Sequence, residues 1–70
     1  MRSLAKIIGP NVRRERTRRG LTRDELANRS GVSVRTIQAL ERGVHEPTVA
    51  SLTWIAAALN TRASKLMEAM

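Results

Sequence analysis

The chain has no cysteine, phenylalanine or tyrosine, and Trp54 is its single aromatic residue. Without cysteine it can form neither a disulfide nor a thiolate metal site. No apolar run approaches the ~18 residues that a membrane-spanning helix needs, and we expect neither a membrane segment nor a signal peptide. A chain of 70 residues also buries only about 60% of the surface that its unfolded form exposes. We therefore expect one small domain that is held together by packing alone.

Acidic residues are scarce as well. Six Asp and Glu stand against thirteen Lys and Arg, which gives a net charge of +7. The whole excess lies in residues 1–42, with eleven basic and four acidic side chains, because residues 43–70 carry two of each. Eleven of the basic residues are arginines, whose planar guanidinium donates two parallel hydrogen bonds to phosphate. The charge favours a polyanionic partner over the alternative of a basic face that binds nothing.

The shortage of aromatic residues narrows the kind of polyanion. Proteins that bind single strands or RNA loops usually stack the bases on several aromatic rings. One tryptophan in 70 residues does not provide such a platform. We therefore expect the partner to be a duplex nucleic acid.

The side chains that carry catalysis or hold metals are too few and too scattered for an enzyme. His45 is the only histidine, and no cysteine or second histidine accompanies it. Asp24 and Glu25 are adjacent, so on a helix they point in different directions and make a poor acid–base pair. The chain also lacks a glycine-rich phosphate loop. We expect no catalytic residue, no metal and no cofactor.

Isolated glycines and N-cap residues divide the chain into helices, and almost no alternating strand pattern is present. We predict that Gly9-Pro10 ends a short N-terminal segment, residues 1–10, and that residues 11–70 form an all-α domain. The predicted helices span about 11–19, 22–29, 33–42 and 48–59, with a short fifth helix that starts at residue 61 or 62. This pattern is typical of a compact five-helix fold.

Residues at the ends of these helices support the assignment. Thr22 and Glu25 have the spacing of a capping box at the second helix. Ser33 and Thr48 are typical N-caps for helices three and four. Asn60 can adopt the left-handed conformation that often ends a helix.

Apolar residues recur at helical spacing along the last third of the chain. The predicted inward stripe of the fourth helix consists of Val49, Leu52, Ile55, Ala56 and Leu59. The apolar residues expected on the fifth helix are Leu66, Met67 and Met70.

The segment from Arg23 to Arg42 has the pattern helix, three-residue turn, helix. Gly31 stands in the turn, where a positive φ is needed that is costly for any residue with a Cβ atom. Ala27 is small where the two helices are expected to cross. Ile37 and Leu40 are expected to hold the second helix of the pair against the first.

With these residues the chain resembles the phage-repressor-like helix-turn-helix family, the Cro and lambda-repressor type that is also called Xre. The matching residues are Gly20-Leu21-Thr22, Glu25-Leu26-Ala27, Gly31-Val32-Ser33, Ile37, Leu40-Glu41-Arg42-Gly43, Pro47-Thr48, Leu52, Ile55-Ala56 and Ala58-Leu59. The resemblance covers residues 8 to about 67. It implies a compact five-helix lambda-repressor-like DNA-binding domain whose helix-turn-helix unit spans residues 22–42.

At four positions the chain departs from the family pattern. Glu15 and Ser30 stand where the family often has apolar residues. Pro10 falls just inside the usual start of the first helix, and Arg62 replaces the serine that usually caps the last one. We expect none of the four to lie on the surface that faces DNA.

Glu41 is expected on the inward side of the third helix, because it follows Ile37 by four residues. A carboxylate there needs a partner, since an unpaired buried charge is very costly. Arg16 stands four residues after Val12 on the inward side of the first helix, and the family resemblance implies the same pairing. We interpret Arg16 and Glu41 as a structural ion pair, with a phosphate contact by Arg16 as the alternative.

The resemblance also implies how the domain meets DNA. The third helix enters the major groove while the second crosses the backbone. The residues expected to read base edges are Val34, Arg35, Gln38 and Ala39, with a phosphate contact as the alternative for Arg35 and for Gln38. The residues expected to contact phosphates are Thr22, Arg23, Ser33, Thr36 and Arg42. The residues that could extend the basic footprint, or act only through their long-range field, are Arg13, Arg14, Arg18 and Arg19.

We therefore expect a sequence-specific double-stranded DNA-binding transcriptional regulator, a repressor, from the cytoplasm of a bacterium or encoded by a phage. Two alternatives remain open. One is an antitoxin-type module that binds DNA and also a toxin protein. The other is a non-specific architectural or protein-interaction module with the same fold.

One recognition helix reads too few base pairs to be specific in a genome, so we expect a homodimer. Because the basic half of the chain repels its own copy, self-contact is expected within residues 43–70. The apolar residues considered for it are Trp54, Leu66, Met67 and Met70. So small an interface predicts a weak dimer that is completed on the operator, unless these residues only close the monomer core.

Overall fold

The computed structural model describes residues 3–69, which form five α-helices and no strand. The helices are α1 (Ala5–Arg18), α2 (Arg23–Ser30), α3 (Val34–Glu41), α4 (Val49–Ala58) and α5 (Ala63–Leu66). The all-α, five-helix prediction is therefore confirmed. Within the described range, every helix is too short or too polar to cross a membrane. Met70, which was predicted to extend the last helix, lies outside the described residues, as do residues 1 and 2.

The prediction that Gly9-Pro10 interrupts the chain is wrong. Helix α1 begins at Ala5 and passes through both residues. Proline removes one intrahelical hydrogen bond and costs a helix interior about 3 kcal/mol. Ala5 and Ile8 are buried together with Val12, and burial of an isoleucine alone stabilises by roughly 1.5–3 kcal/mol. Packing of this additional helical segment against the core offsets the cost of the proline.

Gly9 is buried at a close approach between α1 and α3. A Cβ atom at this position would lie 2.2 Å from the carbonyl oxygen of Leu40 and 3.2 Å from that of Glu41. Both neighbours are backbone atoms, so no side chain can turn aside to make room. The absence of a side chain at Gly9 lets the backbones of α1 and α3 come into contact. This contact, and not a break in the helix, explains why a glycine stands here.

The core is formed by one cluster of apolar side chains from all five helices. Its members are Ile8, Val12, Leu21, Leu26, Val32, Ile37, Leu40, Leu52, Ile55, Ala56, Leu59 and Leu66. Val49 was predicted to belong to the same stripe of α4 but is 85% exposed. It is the first residue of α4, so the helix becomes covered by its neighbours only from Leu52 onward.

The predicted caps of the second, third and fourth helices agree with the structure. Thr22 and Glu25 form the capping box, and Ser33 caps α3 by accepting from the backbone N–H of Thr36. Thr48 caps α4. Asn60 has a φ of 55°, in the left-handed region.

Two polar contacts that the local pattern did not indicate fasten the ends of the chain. The Asn11 amide is buried and donates from Nδ2 to the carbonyl oxygens of Leu66 and Glu68, both at 2.8 Å. The Glu46 carboxylate accepts from the Ser3 hydroxyl and from the backbone N–H of Ala5, the latter at 3.2 Å, and these two hydrogen bonds lower the pKa of Glu46. These contacts attach the short α5 and the start of α1 to the rest of the domain.

Candidate nucleic-acid interface

Helix α3 has one buried edge and one edge open to solvent. Ile37 and Leu40 are completely buried. The four predicted base-reading residues lie on the other side of the helix: Arg35 and Gln38 are exposed, and Val34 and Ala39 are half-buried. The structure therefore brings all four onto one surface, at the edge of α3 that faces away from the core.

The turn between α2 and α3 fixes the angle at which α3 is presented. Gly31 has a φ of 77°, a conformation that is costly for a residue with a side chain. Ser30, where the family often has an apolar residue, uses its hydroxyl to accept from the backbone N–H of Val32 at 3.1 Å. Leu26, Val32 and Ile37 then pack in the common core. This turn is held by backbone geometry and apolar contacts together.

The N-terminus of α2 lies next to the open edge of α3. The Thr22 hydroxyl accepts from the backbone N–H of Glu25 at 3.0 Å, and the Thr22 backbone N–H donates to the Glu25 carboxylate at 2.8 Å. The second bond lowers the pKa of Glu25. Because the Thr22 oxygen only accepts here, its O–H remains available as a donor.

The N-terminus of α3 has a similar arrangement. The Ser33 hydroxyl accepts from the Thr36 backbone N–H at 3.1 Å and donates to the Thr36 hydroxyl at 2.9 Å. The Thr36 hydroxyl is therefore left with its own proton to donate. Ser33 is exposed and Thr36 half-buried, so both predicted phosphate-contact residues lie at the surface.

Arg23, Gln38 and Arg42 line a shallow concavity between the start of α2 and the end of α3. Arg42 is exposed and forms the C-cap of α3. The concavity therefore joins two residues that were predicted to contact phosphate with one that was predicted to read bases. A surface depression, two guanidinium groups and the open edge of α3 therefore coincide here.

Beneath this surface, Arg16 and Glu41 are held together as a buried pair. Arg16 donates from Nε to Glu41 Oε2 at 2.7 Å and from Nη2 to Oε1 at 3.2 Å. Its third nitrogen, Nη1, donates to the carbonyl oxygen of Leu21 at 2.8 Å. All of the guanidinium nitrogens of Arg16 are therefore used within the fold, which argues against the alternative of a phosphate contact by this residue.

Arg23 also donates to Glu41, from Nε to Oε1 at 3.0 Å. Sequence reasoning missed this contact, since the two residues lie on different helices and Arg23 was assigned to phosphate alone. Arg23 is the first residue of α2, and nothing in the neighbouring sequence indicates that its side chain contacts a carboxylate of another helix. The Glu41 carboxylate is thus shared by two arginines.

The basic face of α1 is only partly free. Arg13 is exposed. Arg14 is exposed as well but donates from Nη2 to Asn11 Oδ1 at 2.7 Å, and Arg18 and Arg19 bond the Glu15 carboxylate at 3.3 and 2.5 Å. The hydrogen bond from Arg19 lowers the pKa of Glu15. These pairs explain how the chain tolerates a buried glutamate where the family often has an apolar residue.

The residues considered for self-contact do not all lie at the surface. Leu66 is completely buried in the core, so it is wrong as an interface residue. Trp54 and Met67 are 54% and 42% exposed. The exposed side of α4 contains no charged residue and consists of Val49, Ala50, Thr53, Trp54 and Ala57.

Comparison with known proteins agrees with the motifs and the fold. The helix-turn-helix (HTH_3) family matches residues 12–66. An uncharacterized HTH-type transcriptional regulator of Sinorhizobium fredii, y4dJ, is 43% identical over 56 residues, which are 80% of this chain and 73% of the relative. The crystal structure of the restriction-modification controller protein C.AhdI from Aeromonas hydrophila is similar with a TM-score of 0.83 and 30% identity. The match covers 90% of this chain and 94% of that one. The chain belongs to the helix-turn-helix family of the Xre and lambda-repressor type, and it is a sequence-specific DNA-binding transcriptional regulator.

Proposed function

We propose that α3 is the recognition helix and that its open edge reads base pairs in the major groove. The observation that carries the proposal is the common surface formed by Val34, Arg35, Gln38 and Ala39. Arg35 is suited to guanine, whose O6 and N7 accept two parallel hydrogen bonds from one guanidinium. Gln38 is suited to adenine, and the two apolar side chains to thymine methyl groups.

Phosphate contacts on either side of α3 would orient it in the groove. The residues proposed for them are Thr22, Arg23, Ser33, Thr36 and Arg42. Two local features support them. The N-termini of α2 and α3 carry hydroxyl groups, and Arg23 and Arg42 line the concavity between the start of α2 and the end of α3. Such contacts fix the register of the protein on the duplex without selecting a sequence.

We propose that the protein acts as a repressor, by occupying its operator on the bacterial or phage chromosome in the cytoplasm. The similarity to a restriction-modification controller supports a regulatory role over an architectural one.

Because α4 presents an uncharged face that includes Val49 and Trp54, we propose a second copy of this chain as the occupant of that face. A toxin protein on the same face is the alternative.

One experiment tests the division between base reading and phosphate contact. Duplexes selected from a random pool supply an operator, and affinities are then measured on that operator and on random DNA. Arg35→Ala should weaken operator binding by about 1–3 kcal/mol and barely change binding to random DNA. Arg42→Ala, the matched control, should weaken both by similar factors. Equal losses for Arg35→Ala on the two DNAs would reduce Arg35 to a phosphate contact.

The assembly is tested on the same operator. Two copies per site and a near-palindrome with half-site centres about 10–11 base pairs apart are expected. Trp54→Glu should abolish cooperative binding, whereas Trp54→Leu, which keeps the face apolar, should retain most of it. One copy on an asymmetric site would rule out the dimer, and stable binding of a different protein with loss of DNA cooperativity would favour the toxin alternative.

A further inference from the structure

The carboxylate of Glu41 connects the interior of the domain to its DNA-facing surface. Only 1% of its side-chain surface is exposed. Oε2 accepts from Arg16, and Oε1 accepts from both Arg16 and Arg23, at 3.2 and 3.0 Å. Three helices therefore meet at one buried acceptor, with a second arginine bound from the solvent side.

The two arginines use their nitrogens differently. Arg16 has all three nitrogens bonded within the fold and a side chain that is 10% exposed. Arg23 uses only Nε, and its side chain is 39% exposed. Neither terminal nitrogen of Arg23 has a partner within residues 3–69, and no buried side-chain nitrogen in that range lacks one. The terminal nitrogens of Arg23 therefore lie at the surface.

The surface on which they lie is the concavity shared with Gln38 and Arg42. The guanidinium group is planar, so its two terminal nitrogens can donate two parallel hydrogen bonds to two phosphate oxygens. Because only Nε of Arg23 is bonded to Glu41, this pair of donors remains available. A lysine in this place could serve the carboxylate or a phosphate with its ammonium group, but its geometry does not provide the same fork. The contact thus depends on arginine specifically.

We propose that Glu41 is a positioning residue for DNA binding: it holds Arg23 in the conformation in which its terminal nitrogens receive a backbone phosphate. A free surface arginine samples many rotamers and loses that freedom when it binds. Glu41 restricts Arg23 before DNA arrives, so less entropy is lost on binding. This inference rests on the proposed function, because it requires that the concavity faces the DNA backbone.

The proposal predicts an effect opposite in sign to simple electrostatics. Glu41 is a negative charge close to the DNA-binding surface, so its neutralisation should strengthen binding to a polyanion if only the field matters. If Glu41 positions Arg23, neutralisation should weaken binding. The two accounts can therefore be separated by the direction of one change in affinity.

The experiment compares Glu41→Gln with Asp24→Asn, a neutralisation of an exposed acid beside Arg23 on α2. Duplex affinity is measured at several salt concentrations and at a temperature where circular dichroism shows each variant folded. Glu41→Gln is expected to bind about fivefold more weakly, as for one hydrogen bond of ordinary net strength. Its slope of log affinity against log salt should be shallower by about 0.9, the value for one phosphate. Asp24→Asn should bind as tightly as the parent chain or more tightly.

A double-mutant cycle links the effect to Arg23. In an Arg23→Ala background, Glu41→Gln should cause no further loss, whereas in an Arg42→Ala background the fivefold loss should remain. Additive losses with Arg23→Ala would overturn the proposal. So would binding by Glu41→Gln that equals or exceeds that of the parent.

A second pair of variants keeps the test open if Glu41→Gln does not fold. Arg23→Lys preserves charge but not the fork, so it should lose nearly as much affinity as Arg23→Ala. Arg29→Lys, at an exposed arginine in the last turn of the same helix to which no DNA contact is assigned, should bind as tightly as the parent. Equal behaviour of the two lysine variants would refute the positioning role. Absence of salt-dependent duplex binding by the parent chain would instead refute the proposed function.

Discussion

Replacement of Gly9 by alanine adds one methyl group where α1 touches α3. Two effects oppose each other. Alanine is the better helix former and favours the folded state by about 0.8–1 kcal/mol in a helix interior. The new Cβ, however, would lie 2.2 Å from the carbonyl oxygen of Leu40, more than an ångström inside ordinary van der Waals contact.

The steric effect should dominate. Overpacking of a well-packed core costs about 1–3 kcal/mol, and the upper end applies here because the neighbouring atoms belong to the backbone. Subtraction of the gain in helix propensity leaves a net loss of about 2 kcal/mol. For a domain of this size each 1 kcal/mol shifts Tm by roughly 4–8 °C. Gly9→Ala should therefore lower Tm by roughly 8–16 °C.

Thermal melts of Gly9→Ala and Pro10→Ala, followed by circular dichroism, test this reasoning. Pro10 is exposed, and its replacement restores an intrahelical donor. Pro10→Ala should therefore raise Tm, whereas Gly9→Ala, at the adjacent residue of the same helix, should lower it. A Tm of Gly9→Ala equal to or above that of the parent would show that α1 and α3 do not meet at this glycine.

Three further predictions concern the charged groups. Glu41→Ala should destabilise the fold by about 3 kcal/mol, because it leaves the buried Arg16 without its carboxylate; chemical unfolding with an unchanged midpoint would contradict the buried pair. Hydrogen bonds lower the pKa values of Glu15, Glu25 and Glu46 below the usual 4.5, so their stabilisation is complete above that pH and is lost as the pH falls through the lowered values. Thermal melts at constant ionic strength should show a steady Tm between pH 7 and 5 and a falling Tm below pH 5. A Tm that rises on acidification would contradict the predicted stabilisation by these carboxylates. If each monomer neutralises about five phosphates, log affinity should fall against log salt with a slope of about −4.5; a slope shallower than about −1 would refute the basic footprint.

The features that sequence predicted well are those that depend on neighbours along the chain. The capping box of Thr22 and Glu25, the cap at Ser33 and the left-handed turns at Gly31 and Asn60 each follow from contacts within a few residues. The open edge of α3 follows from helical periodicity in the same way. Local chemistry decides these features, so a single sequence contains the information.

The errors arose where a distant segment decides the outcome. Gly9-Pro10 has the local pattern of a break, but contact with the end of α3 keeps the helix continuous. Val49 was expected in the core but is exposed, and Leu66, which was considered for self-contact, is buried. Burial at the end of a helix depends on which other helix covers it. The bond between Arg23 and Glu41 joins residues of α2 and α3, and it becomes visible only in three dimensions.

The role of α3 in the major groove is tested most directly by methylation interference on the selected operator. Methylation of guanine N7 blocks the major-groove edge that an arginine recognises. Methylation at the guanine read by Arg35 should strongly weaken binding of the parent chain and should have almost no effect on binding of Arg35→Ala. Methylation of a neighbouring adenine at N3, in the minor groove, should leave the binding of both proteins unchanged. Binding that is insensitive to guanine N7 methylation throughout the operator, or equally sensitive in the parent and in Arg35→Ala, would contradict the account.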